Sequence, residues 1–235
     1  MRAARSHESG NPVYHRVIAI DGPAASGKSS VAHQLSQRLG FVYVNSGAMY
    51  RAVTWHVLDR GVDPGDALAV ASLIENTNIL CDLENKESRI LIEGADVSQH
   101  LRDVRVNREV SPVSSVPRVR ELLVARMRAY ALEHDVVMEG RDIGSAVFPD
   151  TPYKFYVDAT PEIRSRRRAA QGQADQIAIR DHADSSRRAS PLTIAADAVM
   201  IDSSQLSIVQ VVDQIIERLK TSGLEAAADL SPVAR

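Results

Sequence analysis

VIAIDGPAASGKSSVAHQLSQRLG, residues 17–40, is the stretch that decides the fold. Its first five residues form a short β-branched apolar run, which reads as a buried strand. Gly22 to Ser29, GPAASGKS, fits G-x-x-x-x-G-K-[ST] at every fixed position. Residues 27–39 place Val31, Leu35 and Leu39 at helical spacing, and Gly40 follows as a stop signal. A strand, a glycine-rich loop and a helix in direct succession are what a phosphate cradle requires. The loop wraps a polyphosphate with backbone N–H groups, and the helix N-terminus adds positive potential. Gly22, Pro23, Ala24, Ala25, Ser26, Gly27, Lys28, Ser29 and Ser30 are therefore the expected site for the phosphates of a nucleoside triphosphate. Lys28 would reach the β- and γ-phosphates, and Ser29 would ligate Mg²⁺. The alternative, a glycine-rich turn that matches by accident, is disfavoured by the strand and helix on either side.

Working outward, FVYV (41–44) is a second strand and residues 48–60 a second helix. Strand–helix–strand–helix is the signature of a parallel α/β sheet. Residues 62–104 change character: ILCDLE (79–84) and RILIEG (89–94) flank the polar NKES, which predicts an antiparallel hairpin in an inserted lobe. Residues 117–133 predict a long helix. DVVME (135–139), YKFYVDA (153–159) and AVMID (198–202) predict further core strands, and 207–220 a closing helix. Residues 161–184 are Arg-rich and apolar-poor, as an exposed helical flap would be. Residues 1–14 read as a flexible arm, 15–222 as the folded domain and 223–235 as a loose tail.

Composition removes several function classes. Hydrophobic residues make up 44% and charged residues 25%, the balance of an ordinary globular enzyme. With 28 basic and 30 acidic residues the net charge is −2, so the basic excess of a general nucleic-acid binder is missing. The polar opening has no apolar core of a secretory signal, and no apolar run approaches the length of a membrane helix. Cys81 is the only cysteine, which excludes an intrachain disulfide and fits a reducing cytoplasm. It reads as a small core residue. Trp55 reads as packing in the acceptor lobe rather than stacking a base.

A GTPase switch would need D-x-x-G and N-K-x-D elements. The nearest string, Asn85-Lys86-Glu87-Ser88, lacks the aspartate. A small-molecule kinase remains. Phosphoryl transfer needs charge neutralisation more than covalent chemistry, so arginines should converge on the phosphates. Arg51, Arg141, Arg164, Arg167, Arg168, Arg180 and Arg187 are the candidates, while Arg166 reads as solvated. Arg51 and Arg141 stand out because each lies at or just beyond a strand's C-terminal end, the ligand edge of an open α/β sheet.

IAIDGPAASGKSSVA, NSGAMYRAVTW, VPRVRELL, MEGRDIGSAVFPD, RDHADSSRRASPL and AVMIDSSQLSIVQVV together resemble bacterial cytidylate kinases, in that family's order across residues 17–216. SGAMYR and GRDIGSAVFPD are far more specific than the phosphate loop. The resemblance implies a P-loop kinase with a five-stranded parallel core. An inserted monophosphate-binding lobe (62–104) would carry a small antiparallel sheet, and a short Arg-rich lid would cover about 164–187. It implies Mg²⁺-dependent transfer from ATP to CMP and dCMP; from composition no nucleic-acid or membrane partner is expected, and the chain reads as a cytoplasmic monomer. Carried over by motif, Ser46 and Arg51 would lie at the acceptor, with Arg51 and Arg141 on its phosphate. Ser111, Arg120 and Asp142 would read cytosine. Arg180, Asp184 and Arg187 would hold the sugar and close over the phosphates, and Lys28, Arg141, Arg180 and Arg187 would act on the transferring group. Two departures stand out. Asn45 occupies the place of the family's usual Asp, with helix capping as the simpler role for it. The lid between Arg168 and Arg180 is shorter than in many relatives.

Overall fold

The computed structural model describes residues 13–170 and 192–224. Arg180, Asp184 and Arg187 all lie outside the described residues.

One sheet organises the molecule. Its centre is β1 (Val17–Asp21), buried at every residue. It is flanked by β6 (Val136–Gly140) and β7 (Tyr153–Asp158), both parallel to it. Outside these lie β2 (Val42–Asn45) on β6 and β8 (Val199–Asp202) on β7, again parallel. The five parallel strands thus run in the order β2-β6-β1-β7-β8. Strands covered on both faces need continuous apolar runs, and VIAID, VVM and FYV supply them.

The hairpin of β3 (Ile79–Glu84) and β4 (Glu87–Ile92) is antiparallel, and a short β5 (Ala95–Asp96) pairs with β4. It is not a detached sheet. Tyr43 of β2 pairs with Glu87 of β4, so the hairpin extends the parallel core at one edge. Its turn is only Asn85-Lys86, both at positive φ, the two-residue geometry that matches strand twist. The NKES stretch is therefore half turn and half strand.

Helices cover both faces. On one, α1 (Lys28–Leu39) and α7 (Ile208–Thr221) bury Val31, Leu35, Val212 and Ile215 against Ile18, Ile20 and Phe155. On the other, α2 (Ser46–Asp59), α3 (Ala67–Glu75), α4 (Val104–Ser115) and α5 (Pro117–Glu133) share a core with Ala19, Val44 and Met138. Helix α6 (Pro161–Ala170) follows β7. The packed body reaches beyond the expected limits at both ends. The Tyr14 ring meets Phe148 edge-on at 5.2 Å, and Leu224 is buried beside α7. No helix among the described residues is long and apolar enough to cross a membrane. Trp55 packs in the lobe, its ring stacked on His100 at 4.9 Å. Cys81 is half-buried, and burial pushes its thiol up to about 11, as expected of a packing residue.

Candidate functional site

The C-terminal ends of the parallel strands open on a cavity of about 530 Å³. This is where loops converge in an open α/β sheet. Its floor is the loop from Gly22 into α1. Gly22 is obligatory there, because a Cβ would lie 2.1 Å from the Val157 carbonyl oxygen. Gly27, at φ 94°, starts α1 without any side-chain cap, so the first amides of that helix are available to an anion. Lys28 is buried, and its Nζ donates to the Pro23 carbonyl at 3.0 Å, folding the ammonium over the loop.

Two arginines of α6 hold this loop. Arg164 Nη1 donates to the Ala24 carbonyl at 3.3 Å. Arg167 Nη1 donates to the Ser26 carbonyl at 3.1 Å, and its Nη2 donates to the Ser203 carbonyl at 2.7 Å. Both donate to loop carbonyls and so brace the cradle, Arg167 while also lining the cavity. Arg168 lines the cavity beside them, and Arg166 is exposed.

Ser29 Oγ donates to Glu139 Oε1 at 2.7 Å. Glu139 is buried at the end of β6, and sequence reasoning passed over it. Its signal was available: a carboxylate at the ligand edge of a core strand, one residue before the GRDIG turn. A serine hydroxyl and a carboxylate are both hard oxygen donors, the set that suits Mg²⁺. Tyr43 OH donates to the same Oε1 at 3.4 Å, and Asn45 Nδ2 donates to Tyr43 OH at 3.1 Å. Desolvation, then the Glu139 charge, pushes the Tyr43 hydroxyl far up, so it stays a neutral donor.

Asn45 also caps α2, its Oδ1 accepting from the Ala48 N–H at 2.9 Å. The helix therefore starts at Ser46, two residues ahead of the expected 48. Asn45→Ala should lower unfolding stability by about 1 kcal/mol in urea titration. Asn45→Asp keeps the cap and adds charge to a helix N-terminus, so stability and activity should not fall. A large activity loss in Asn45→Asp would mean that the amide donated to Tyr43 is indispensable.

The cavity's far wall carries the acceptor residues. Ser46 Oγ donates to the Glu139 carbonyl at 2.7 Å. Gly140 must lack a side chain, because a Cβ would sit 2.6 Å from that Oγ. Arg51 reaches Asn107 Oδ1 at 3.4 Å, and Arg141 lines the wall beside it. Arg120 and Asp142 form a buried ion pair, with side chains 8% and 7% exposed. The Arg120 guanidinium sits 5.8 Å from the Tyr50 ring centroid. Of the three expected base readers, Arg120 and Asp142 face the cavity. Ser111 does not line it; Ser114, one turn further along α4, does. The structure thus gathers the phosphate loop, Ser46, Arg51, Arg120, Arg141 and Asp142 around one space.

The cytidylate kinase family model matches residues 18–221. Among curated relatives, the cytidylate kinase of Pelotomaculum thermopropionicum is 43% identical over 221 residues, covering 88% of this chain and 97% of that protein. That of Geobacillus kaustophilus is 44% identical over 211 residues, covering 85% and 94%. A bifunctional pantoate ligase/cytidylate kinase of Parasynechococcus marenigrum is 42% identical over 224 residues. The match covers 90% of this chain but 45% of that longer protein.

Proposed function

This chain belongs to the cytidylate kinase family, and on that premise we propose that it transfers the γ-phosphoryl group of ATP to CMP and dCMP, giving CDP and dCDP. The observation that carries the reading is one cavity lined both by the phosphate loop and by the buried Arg120–Asp142 pair.

Division of labour follows from position. The loop amides and Lys28 take the donor phosphates, where charge spreads as the phosphoryl group leaves. Ser29 and Glu139 would hold Mg²⁺, which supplies charge neutralisation across the donor phosphates when bound. Arg51 and Arg141 take the acceptor phosphate. That phosphate is already anionic, so no protein group need deprotonate it. Asp142 accepts from the exocyclic amine of cytosine, and Arg120 donates to the ring nitrogen and carbonyl. Uracil would turn an oxygen toward the carboxylate, which is why UMP should be rejected. Arg180, Asp184 and Arg187 complete the set as sugar and phosphate contacts from the lid.

A coupled ADP-release assay with CMP, dCMP, UMP and AMP tests this. CMP and dCMP should be turned over far more efficiently than UMP or AMP. Preference for UMP would reassign the acceptor, and no turnover with any of the four would leave a nucleotide-binding regulator.

A further inference from the structure

Asp21 is the last residue of β1, immediately before the phosphate loop, and it is almost fully buried. Across the sheet it stands level with Gly140 of β6 and Tyr156 of β7. Past Gly140 the chain runs through Arg141 and Asp142 into one wide helical turn, Ile143–Val147. The first amides of any helical turn lack partners within it. Asp142 precedes this turn but makes no cap, because its carboxylate is committed to Arg120. The caps come from the neighbouring strand instead. Asp21 Oδ1 accepts from the Ile143 N–H at 2.9 Å, and Oδ2 accepts from the Gly144 N–H at 2.8 Å.

We propose that Asp21 is a positioning residue for the acceptor: its carboxylate clamps the turn carrying Arg141 and Asp142 to the head of the phosphate loop, fixing where those two side chains meet CMP. This rests on the function proposed above. It joins the two halves of the site through one side chain, since residue 21 leads directly into the donor cradle. The packing leaves the clamp little slack. A Cβ on Gly144 would lie 3.1 Å from the Lys154 side chain and 3.4 Å from Asp21 Oδ2.

The clamp depends on charge. Burial pushes the Asp21 carboxyl up to about 6; the two amide bonds oppose this, Asp142 adds to it and Arg141 opposes it. The other charged neighbours are engaged elsewhere. Lys154 of β7 holds Asp197, Lys28 of α1 donates to Pro23, and Arg120 of α5 is on Asp142. A protonated Asp21 would present an O–H to one of the two N–H groups, so only one bond could persist. Stability moves the other way. A carboxyl raised from 3.8 to about 6 adds stability that is complete below the lower value and lost as pH rises through the upper. Acidification therefore firms the fold while loosening the turn.

Two measurements test the clamp. In the substrate-free wild type, NMR should show the Ile143 and Gly144 amide protons shifting upfield together between roughly pH 7.5 and 5, with a midpoint near 6. In kinetics, Asp21→Asn should raise KM for CMP about tenfold at neutral pH, with KM for ATP changed less than about twofold. The variant-to-wild-type ratio of KM should then fall toward one on acidification. Titration of the CMP phosphate cancels in that ratio. Amides that do not titrate, or a variant that weakens ATP as much as CMP, would overturn the proposal. The NMR arm needs neither substrate nor variant. If no acceptor is phosphorylated at all, the functional reading fails while the clamp still stands or falls on the amides.

Discussion

Lys28→Ala is expected to fold normally and to lose at least about 10²-fold in kcat. Lys28 opens α1, and in the structure its ammonium bends back over the loop to the Pro23 carbonyl. Removing it opens space at the cavity that Lys28 lines, where water can enter and take its place on the Pro23 carbonyl, so the fold has little to lose. The transferring phosphoryl group has much to lose, because the charge that spreads over its oxygens then meets one cation fewer. Arg164 and Arg167 cannot substitute, since their guanidinium groups hold the loop carbonyls of Ala24 and Ser26. ATP binding should weaken less than turnover, because the loop amides remain. The measurement is single-turnover phosphoryl transfer beside circular dichroism. A folded variant with near-normal turnover would sink the assignment of the loop.

The core was legible because two signals coincided at residue 17–40: a β-branched run and a glycine motif with a fixed offset to a helix. The strands at 135–139, 153–159 and 198–202 followed from continuous apolar runs, as expected for a sheet covered on both faces. Helix α4 was not legible. Val106, Val110 and Val113 do fall on one face, but Pro112 reads as a breaker, and only packing of Val110 and Val113 into the core shared with α2 and α5 carries the helix through it. Helix α3 was hidden similarly, since its polar Asp66 cap and exposed Leu68 blur the period. In the site, residues inside specific motifs were legible, while their supports were not. Asp21 and Glu139 each look like the end of a strand. Their roles come from partners 122 and 110 positions away in the chain, Ile143 and Ser29, which no local pattern discloses. Arg167 was one of several candidates for the phosphates; only the fold reveals that its guanidinium braces the loop.

Base choice is the second large effect. Arg120→Met and Asp142→Ala should each lower the CMP-to-UMP ratio of kcat/KM by a factor corresponding to about 1–3 kcal/mol. Both side chains are buried and paired with each other at the cavity wall. Each substitution therefore also strands a buried charge, which can cost about 3–5 kcal/mol of stability. Loss of activity alone would not separate reading the base from holding the wall. The ratio does, because both nucleotides meet the same folded variant with the same phosphate and ribose. They differ at the exocyclic group and at ring N3, an amine and an acceptor in CMP and an oxygen and an N–H in UMP. A fixed carboxylate rewards the amine and penalises the oxygen together, so discrimination is lost from both directions when it is removed. Asp142→Asn gives a sharper version. The shape is retained and the charge is lost, but the amide can donate to the uracil oxygen, so UMP should gain while CMP declines. The clamp on the turn should survive in that variant, because it runs through the amides of Ile143 and Gly144 and not through the Asp142 side chain. KM for ATP should then stay near the wild-type value. A ratio unchanged in all three variants, with stability reduced, would make Arg120 and Asp142 a structural pair and place the reading of cytosine on other residues of the wall, with Ser114 the first to test.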